Sequence, residues 1–242
     1  TAAVSPSTAR SESLESFEPG LGSLATNDDA SALFRNPAAI DRSVTWGWTS
    51  VIERPAVEGA PKRWQAGLTF AGAGLGFQQR RDPGHVRRDR WGIALGSGQR
   101  RVSALGVRGV RERRVGRAGT EGDVLGGIGW RFDVGALYRP ARRVSFGAVV
   151  SDLNQETFAG RPERRAYSGG VAVRPWPGKN PERLTLHADL SDLSEDTWKR
   201  ARIDVGAEFE PYRGLLLSSA LGKPLDGPAR DATIRVALGV RL

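Results

Sequence analysis

From Ser43 to its end the chain alternates in character with a period of two, and that period confines it to half-buried β-strands. Along Asp123–Tyr138, the residues Val124, Ile128, Trp130, Phe132, Val134, Ala136 and Tyr138 share one face, and Gly127, Gly129, Arg131, Asp133 and Gly135 share the other. Ile203, Val205, Ala207 and Phe209 alternate in the same way with Arg202, Asp204, Gly206, Glu208 and Glu210. So do Ile234, Val236, Leu238, Val240 and Leu242 with Arg235, Gly239 and Arg241. Weaker alternation places strands near 43–53, 63–72, 73–81, 88–98, 101–111, 144–152, 165–174, 183–191 and 214–222, about twelve in all, within two either way.

The connections carry a second regularity. Those at Gly72-Ala73-Gly74, Gly98-Gln99-Arg100, Pro140-Ala141-Arg142-Arg143, Pro175–Glu182 and Pro211-Tyr212-Arg213-Gly214 are mostly tight. The ones between them are longer and charged, as at Gln79–Asp89, Arg111–Gly122, Asp152–Arg164 and Lys223–Asp231. Alternately short and long connections are the pattern of an up-and-down transmembrane barrel, whose strands of about nine to eleven residues cross at a tilt. The expected fold is therefore all-β: an antiparallel up-and-down transmembrane β-barrel of about twelve strands.

Composition agrees with strands rather than helices as the spanning element. Only 39% of the 242 residues are hydrophobic and mean hydropathy is -0.39, so no stretch serves as a transmembrane helix. A barrel needs only every second strand residue to face lipid. Cysteine is absent, which removes disulfides, thiolate nucleophiles and cysteine-bound metals. The net charge of +9 comes mostly from arginines spread over loops and one strand face. They form no basic, aromatic-interleaved stripe of the kind single-strand binders use, and no nucleic-acid partner is expected.

Ahead of the strands, the Ser/Thr/Ala/Glu-rich residues 1–20 read as a flexible arm. The chain opens on a polar stretch rather than a signal peptide, so it reads as the mature form of an exported protein. Residues 21–42 read as a helical plug: Asn27-Asp28-Asp29 starts a helical turn over Ala30–Phe34, and Pro37 stops it. Residues 43–242 make the barrel.

Energetics orient the faces. An arginine facing lipid at mid-membrane costs about 2–4 kcal/mol, so Arg131, Arg139, Arg174, Arg202, Arg235 and Arg241 are expected to face inward. Asp133, Asp189, Asp204, Glu208 and Glu210 share that register, giving a mixed ladder that can pair across strands. Such a ladder either fills and braces a narrow lumen or lines a polar channel. Gly92, Gly96, Gly127, Gly129, Gly135, Gly206 and Gly239 leave space beside it. Trp46, Trp48, Trp64, Trp91, Trp130, Trp176 and Trp198 are candidates for interfacial girdles. His85 and His187 lie far apart without partners at metal-ligand spacing, and the sequence has neither a nucleophile elbow nor a phosphate loop. The neighbouring acids Asp189 and Asp192 belong to the ladder. No catalytic site, metal or cofactor is expected.

The segment Ala25–Ala38, ending in Asn36-Pro37-Ala38, resembles the N-terminal signature of an outer-membrane superfamily that includes FadL-type hydrophobic-compound transporters and PorV-type secretion proteins. Phe132–Pro140 followed by Val144–Val149 is similar to that superfamily's strand, short turn, strand repeat, and Asp204–Phe209 echoes it. The chain departs in its shorter length, in having fewer strands than the usual fourteen and in ending on Leu242. The resemblance implies a bacterial outer-membrane location, contact with outer-membrane lipid, and a hatch-like role for Asn36, Pro37 and Ala38.

Three functions then compete. One is a membrane-anchored structural or partner-binding subunit with a largely filled lumen, meeting a protein partner through its long charged loops. The second is a passive transporter of small hydrophobic compounds. The third is a barrel region attached to a signal-peptide-peptidase-like protein. A soluble β-sheet protein is the contrasting reading.

Overall fold

The computed structural model describes residues 23–26, 32–40, 46–53, 62–81, 87–99, 103–115, 117–118, 123–124, 127–158, 161–175, 183–194, 201–212, 215–226 and 232–240. The arm 1–20, the helix-start residues 27–29, His85, Trp176, Trp198 and Arg241 lie outside them.

The first strands are β1 (Gly47–Glu53), β2 (Lys62–Phe70), β3 (Ala73–Arg81), β4 (Arg87–Gln99) and β5 (Ser103–Val115). Two-residue strands β6 (Arg117–Ala118) and β7 (Asp123–Val124) pair within the next connection, before β8 (Gly127–Ala141) and β9 (Val144–Ser151). A second such pair, β10 (Thr157–Phe158) and β11 (Arg161–Pro162), precedes β12 (Ala166–Val173) and β13 (Leu184–Ser194). The chain continues through β14 (Arg202–Tyr212), β15 (Leu215–Pro224) and β16 (Thr233–Val240).

Twelve of these strands form one antiparallel sheet in sequential order, as expected of an up-and-down arrangement. Two expectations shift. The strand expected over Asp123–Tyr138 begins at Gly127, because Asp123 and Val124 fold back onto Ala118 and Arg117. The first tight turn is Ala71-Gly72, at φ 45° and 88°, the two left-handed residues that a two-residue hairpin of right-twisted strands demands.

Helix is scarce among the described residues. The expected helical plug reduces to a four-residue helix, α1 (Ala32–Arg35), and one 3-10 turn, Pro37–Ala39. The reason is local: Asn36 is extended, at φ -135° and ψ 104°, and Pro37 brings no N–H for a continuing ladder. Asn36 instead caps the 3-10 turn, its side-chain oxygen accepting from the Ala38 amide at 3.1 Å.

These residues nevertheless sit on the inner face of the sheet. Leu33 and Phe34 lie over Gly67 of β2 and Gly76 of β3, Pro37 over Gly106 of β5, Asn36 over Gly135 of β8, and Leu24 over Gly147 of β9. Ser23 and Arg35 bond Asp189 of β13. In a flat sheet β2 and β13 would stand about 34 Å apart at ~4.8 Å per strand. One short segment touches both, so the sheet curls around it. The apolar core is this contact, with Leu33, Phe34, Ala38, Ala39 and Ile40 packed against Ala94, Val110 and Leu137.

Candidate functional site

The alternation of β8 separates two environments. Ile128, Trp130, Phe132, Val134 and Tyr138 are exposed, whereas Arg131 and Asp133 are 3% and 2% exposed. The same inversion holds on β4 and β5, where Trp91, Ile93, Leu95, Leu105 and Val107 are exposed while Arg90, Arg108 and Glu112 are buried.

Eight of the inward charges form one connected group on the long-connection side of the docked segment. Glu112 accepts from Arg90 Nε at 2.9 Å, from Arg131 Nη1 at 2.9 Å and from Arg114 Nε at 2.6 Å. Arg131 turns its other edge on Asp152, just beyond β9, in a two-pronged ion pair. The Asp152 amide donates to Asp133 Oδ1 at 3.0 Å, and Arg108 Nε donates to Asp133 Oδ2 at 2.8 Å. Arg114 also reaches Glu163 at 2.7 Å. Four guanidiniums, Arg90, Arg108, Arg114 and Arg131, thus meet four carboxylates, Glu112, Asp133, Asp152 and Glu163. Buried charge is tolerated only when it is paired and hydrogen-bonded in this way. Each carboxylate of the group holds a guanidinium, so the arrangement ties β4, β5, β8 and the segment after β9 together.

This group is coupled to the docked segment. Arg108 Nη1 donates to the Leu33 carbonyl at 2.8 Å, satisfying an acceptor that a one-turn helix leaves without an intrahelical partner. On the segment's other side, Asp189 accepts from Ser23 Oγ at 2.7 Å, from the Leu24 amide at 3.3 Å and from Arg35 Nη1 at 3.1 Å. Asn36 Nδ2 donates to Leu24 O at 2.8 Å and to Ala136 O at 3.0 Å. One amide therefore ties the two ends of the segment to each other and to the wall.

The residues expected in a single inward ladder divide between separate places. Arg131 and Asp133 belong to the large group. Asp189 holds the docked segment, and Arg202 pairs with Asp204 at 3.3 Å. Arg174 is buried beside Ser145, 3.4 Å from its hydroxyl. Arg139 and Glu208 are half-buried. Arg235 lies on β16 with its side chain outside the description. Asn36, Pro37 and Ala38 are all buried, in contact with the segment and the wall.

Arg90, Arg108, Glu112 and Asp152 are not among the expected ladder residues. The first three follow from the inward register of β4 and β5, the same period-two signal that identifies Arg131. Asp152 and Glu163 sit in a connection, where periodicity has nothing to say. Arg35 and Ser23 meet Asp189 across more than 150 residues of chain, a separation that local pattern does not span.

No protein-family model and no curated protein matches the chain, so the resemblance to FadL-type and PorV-type proteins is not shown by those comparisons. Among solved structures, a triple mutant of the Rh. blastica porin is similar at a TM-score of 0.41 and 15% identity, over 76% of this chain and 55% of that one. A second mutant of the same porin matches at 0.41 and 17%, over 74% and 54%. A structure titled as asymmetric conductivity of engineered proteins matches at 0.41 and 15%, also over 74% and 54%. The chain thus spans about half the length of these structures.

Proposed function

We propose that the chain is a bacterial outer-membrane β-barrel whose lumen is filled, acting as a membrane-anchored structural or partner-binding subunit rather than as an open pore. One observation carries the reading: the polarity is inside out. Trp91, Ile93 and Leu95 are 55–59% exposed, while Glu112 is 0% and Asp133 2% exposed. In water, an apolar surface of this extent is an aggregation liability, and in a bilayer it is the lipid face. The outward side chains also sort by height. Phe70 and Tyr212 lie at the short-turn ends of β2 and β14, with Tyr138 and Phe146 a few residues in; Trp64, Trp91 and Trp130 lie toward the long connections. Leu68, Leu75, Ile93, Leu105, Val107 and Val134 are also exposed. Aromatic rows flanking a mostly aliphatic band, in which Phe132 is level with Ile93, are what two bilayer interfaces select.

Inside, residues 23–26 and 32–40 and the eight-charge group take the space that the inward glycines leave. This favours the filled-lumen reading over passive transport of hydrophobic compounds. The long connections, charged in sequence, are then the surface offered to a protein partner. The test is conductance: the purified chain, inserted into planar bilayers, is expected to stay electrically silent. Steady pores of porin size would overturn the filled-lumen reading and return transport to first place.

A further inference from the structure

The inward Arg90, Arg108, Arg114 and Arg131 are paired, but a second set of arginines stands on the outward register of β3, β4 and β5, at the long-connection end. Arg81, Arg87, Arg111 and Arg113 are all exposed there. Arg81 is the direct cross-strand partner of Arg87. Arg111 stands between Trp91 and Trp130, the residues opposite it on its two neighbouring strands. Arg113 faces Asp89, and Asp89 already accepts from Arg87 Nε at 2.9 Å and from Gln79 Nε2 at 3.1 Å. Among the described residues of these three strands, one carboxylate therefore stands beside four guanidiniums on this face. Toward the short turns the surface becomes aromatic: the Trp64 and Phe77 rings are 5.1 Å apart, and those of Phe77 and Trp91 are 4.3 Å apart.

Like charges directly opposite each other destabilise a sheet. Arginine on a lipid-facing register is also costly unless it sits at headgroup level. Both costs vanish if the four guanidiniums meet anions held just above the aromatic row. Guanidinium is the side chain suited to phosphate, which it grips with two parallel N–H bonds. An anion at that height on the outer wall is anchored in the leaflet rather than dissolved. We infer that Arg81, Arg87, Arg111 and Arg113 form a binding site for the phosphates of a glycolipid in the leaflet on the long-connection side, with Trp91 and Trp130 packing on its sugar and upper acyl chains. The inference rests on the outer-membrane reading above, with the long connections on the outer side as in other barrels of this kind, where the leaflet is rich in phosphorylated lipid A.

The experiment uses the full chain folded in detergent, with native mass spectrometry counting bound lipid. The probes are diphosphorylated lipid A, its dephosphorylated counterpart and inorganic phosphate as competitor. The site predicts retention of the diphosphorylated lipid alone, undisturbed by millimolar phosphate. Joint Arg111→Gln and Arg113→Gln substitution should weaken retention about 30-fold, at roughly 1 kcal/mol per interfacial arginine. Arg111→Lys with Arg113→Lys keeps the charge but not the two-pronged grip, so it should weaken retention by less than the Gln pair does, which separates loss of charge from loss of fold. Equal retention of the dephosphorylated lipid, or equal retention by the Gln pair, overturns the site. Displacement by inorganic phosphate overturns it too, since the face would then read a bare anion. Failure of the native chain to insert into liposomes is a different result: it overturns the membrane reading itself and the site with it.

Discussion

Arg131 joins two parts of the interior that lie apart in the chain. It bridges Glu112 of β5 and Asp152 beyond β9, and it is buried with both partners. Removing one member of such a group leaves charge stranded in a low-dielectric interior, which costs about 3–5 kcal/mol. Arg131→Met should therefore lower the stability of the detergent-folded chain by about that amount, read as a lowered denaturant midpoint. Adding Asp152→Asn should give back part of the loss, because the stranded carboxylate goes with it. Strictly additive losses would mean that the two side chains do not act as a pair. Asn36 does comparable work for the docked segment by a different route, satisfying the carbonyls of Leu24 and Ala136 with its side-chain amide. The motif Asn36-Pro37-Ala38 is thereby explained: an amide that joins three stretches of chain, a proline that ends α1, and a small residue whose backbone closes the cap.

At the scale of the element, glycines make the docking possible. A Cβ on Gly106 would run into the backbone of Pro37 and Ala38, whereas one on Gly109 would meet only the Phe132 ring at 3.6 Å, an ordinary contact. The two glycines lie on opposite faces of β5, which makes them a matched pair. Gly106→Ala should release the segment, read as faster protease cleavage within residues 23–40, while Gly109→Ala should leave cleavage unchanged. Equal protection in both variants would show that the segment does not depend on the β5 cradle. The same strand shows how far the sequence is readable. Its alternation places Gly106, Arg108, Val110 and Glu112 inward, and the positions of all twelve sheet strands follow from that period and from the tight connections. What the glycines are for does not follow. Inward glycine reads as vacant space until the segment that fills it is seen, and that segment is brought there by contacts such as Leu24 over Gly147, far apart in the chain. The helical turn expected over Ala30–Phe34 is seen at Ala32–Arg35, and no longer helical plug follows because Asn36 and Pro37 commit their backbone to a cap and a 3-10 turn.

For the whole molecule, the inverted polarity sets a geometry that a membrane can check. Trp91 lies eight residues from Gln99 at the short-turn end of β4, and Trp64 six from Phe70 at that of β2. At ~3.3 Å per residue and a tilt of ~40° this is roughly 15–20 Å of height, most of the ~25 Å apolar band of an outer-membrane barrel. Trp91 thus belongs near one interface, and Ile93, two residues further toward the turn on the same outward face, belongs within the acyl chains. A chain retaining Trp91 alone, its other tryptophans replaced by phenylalanine, is compared in liposomes with one carrying Trp91→Phe and Ile93→Trp in the same background. Lipids brominated high on the acyl chain should quench the first more strongly, and lipids brominated deeper should quench the second more strongly. A soluble sheet gives no quenching by either lipid in either chain. A barrel whose loop-side interface lies elsewhere on β4 gives both chains the same depth profile, and the arginines level with and beyond Trp91 would then lose their place at the headgroups.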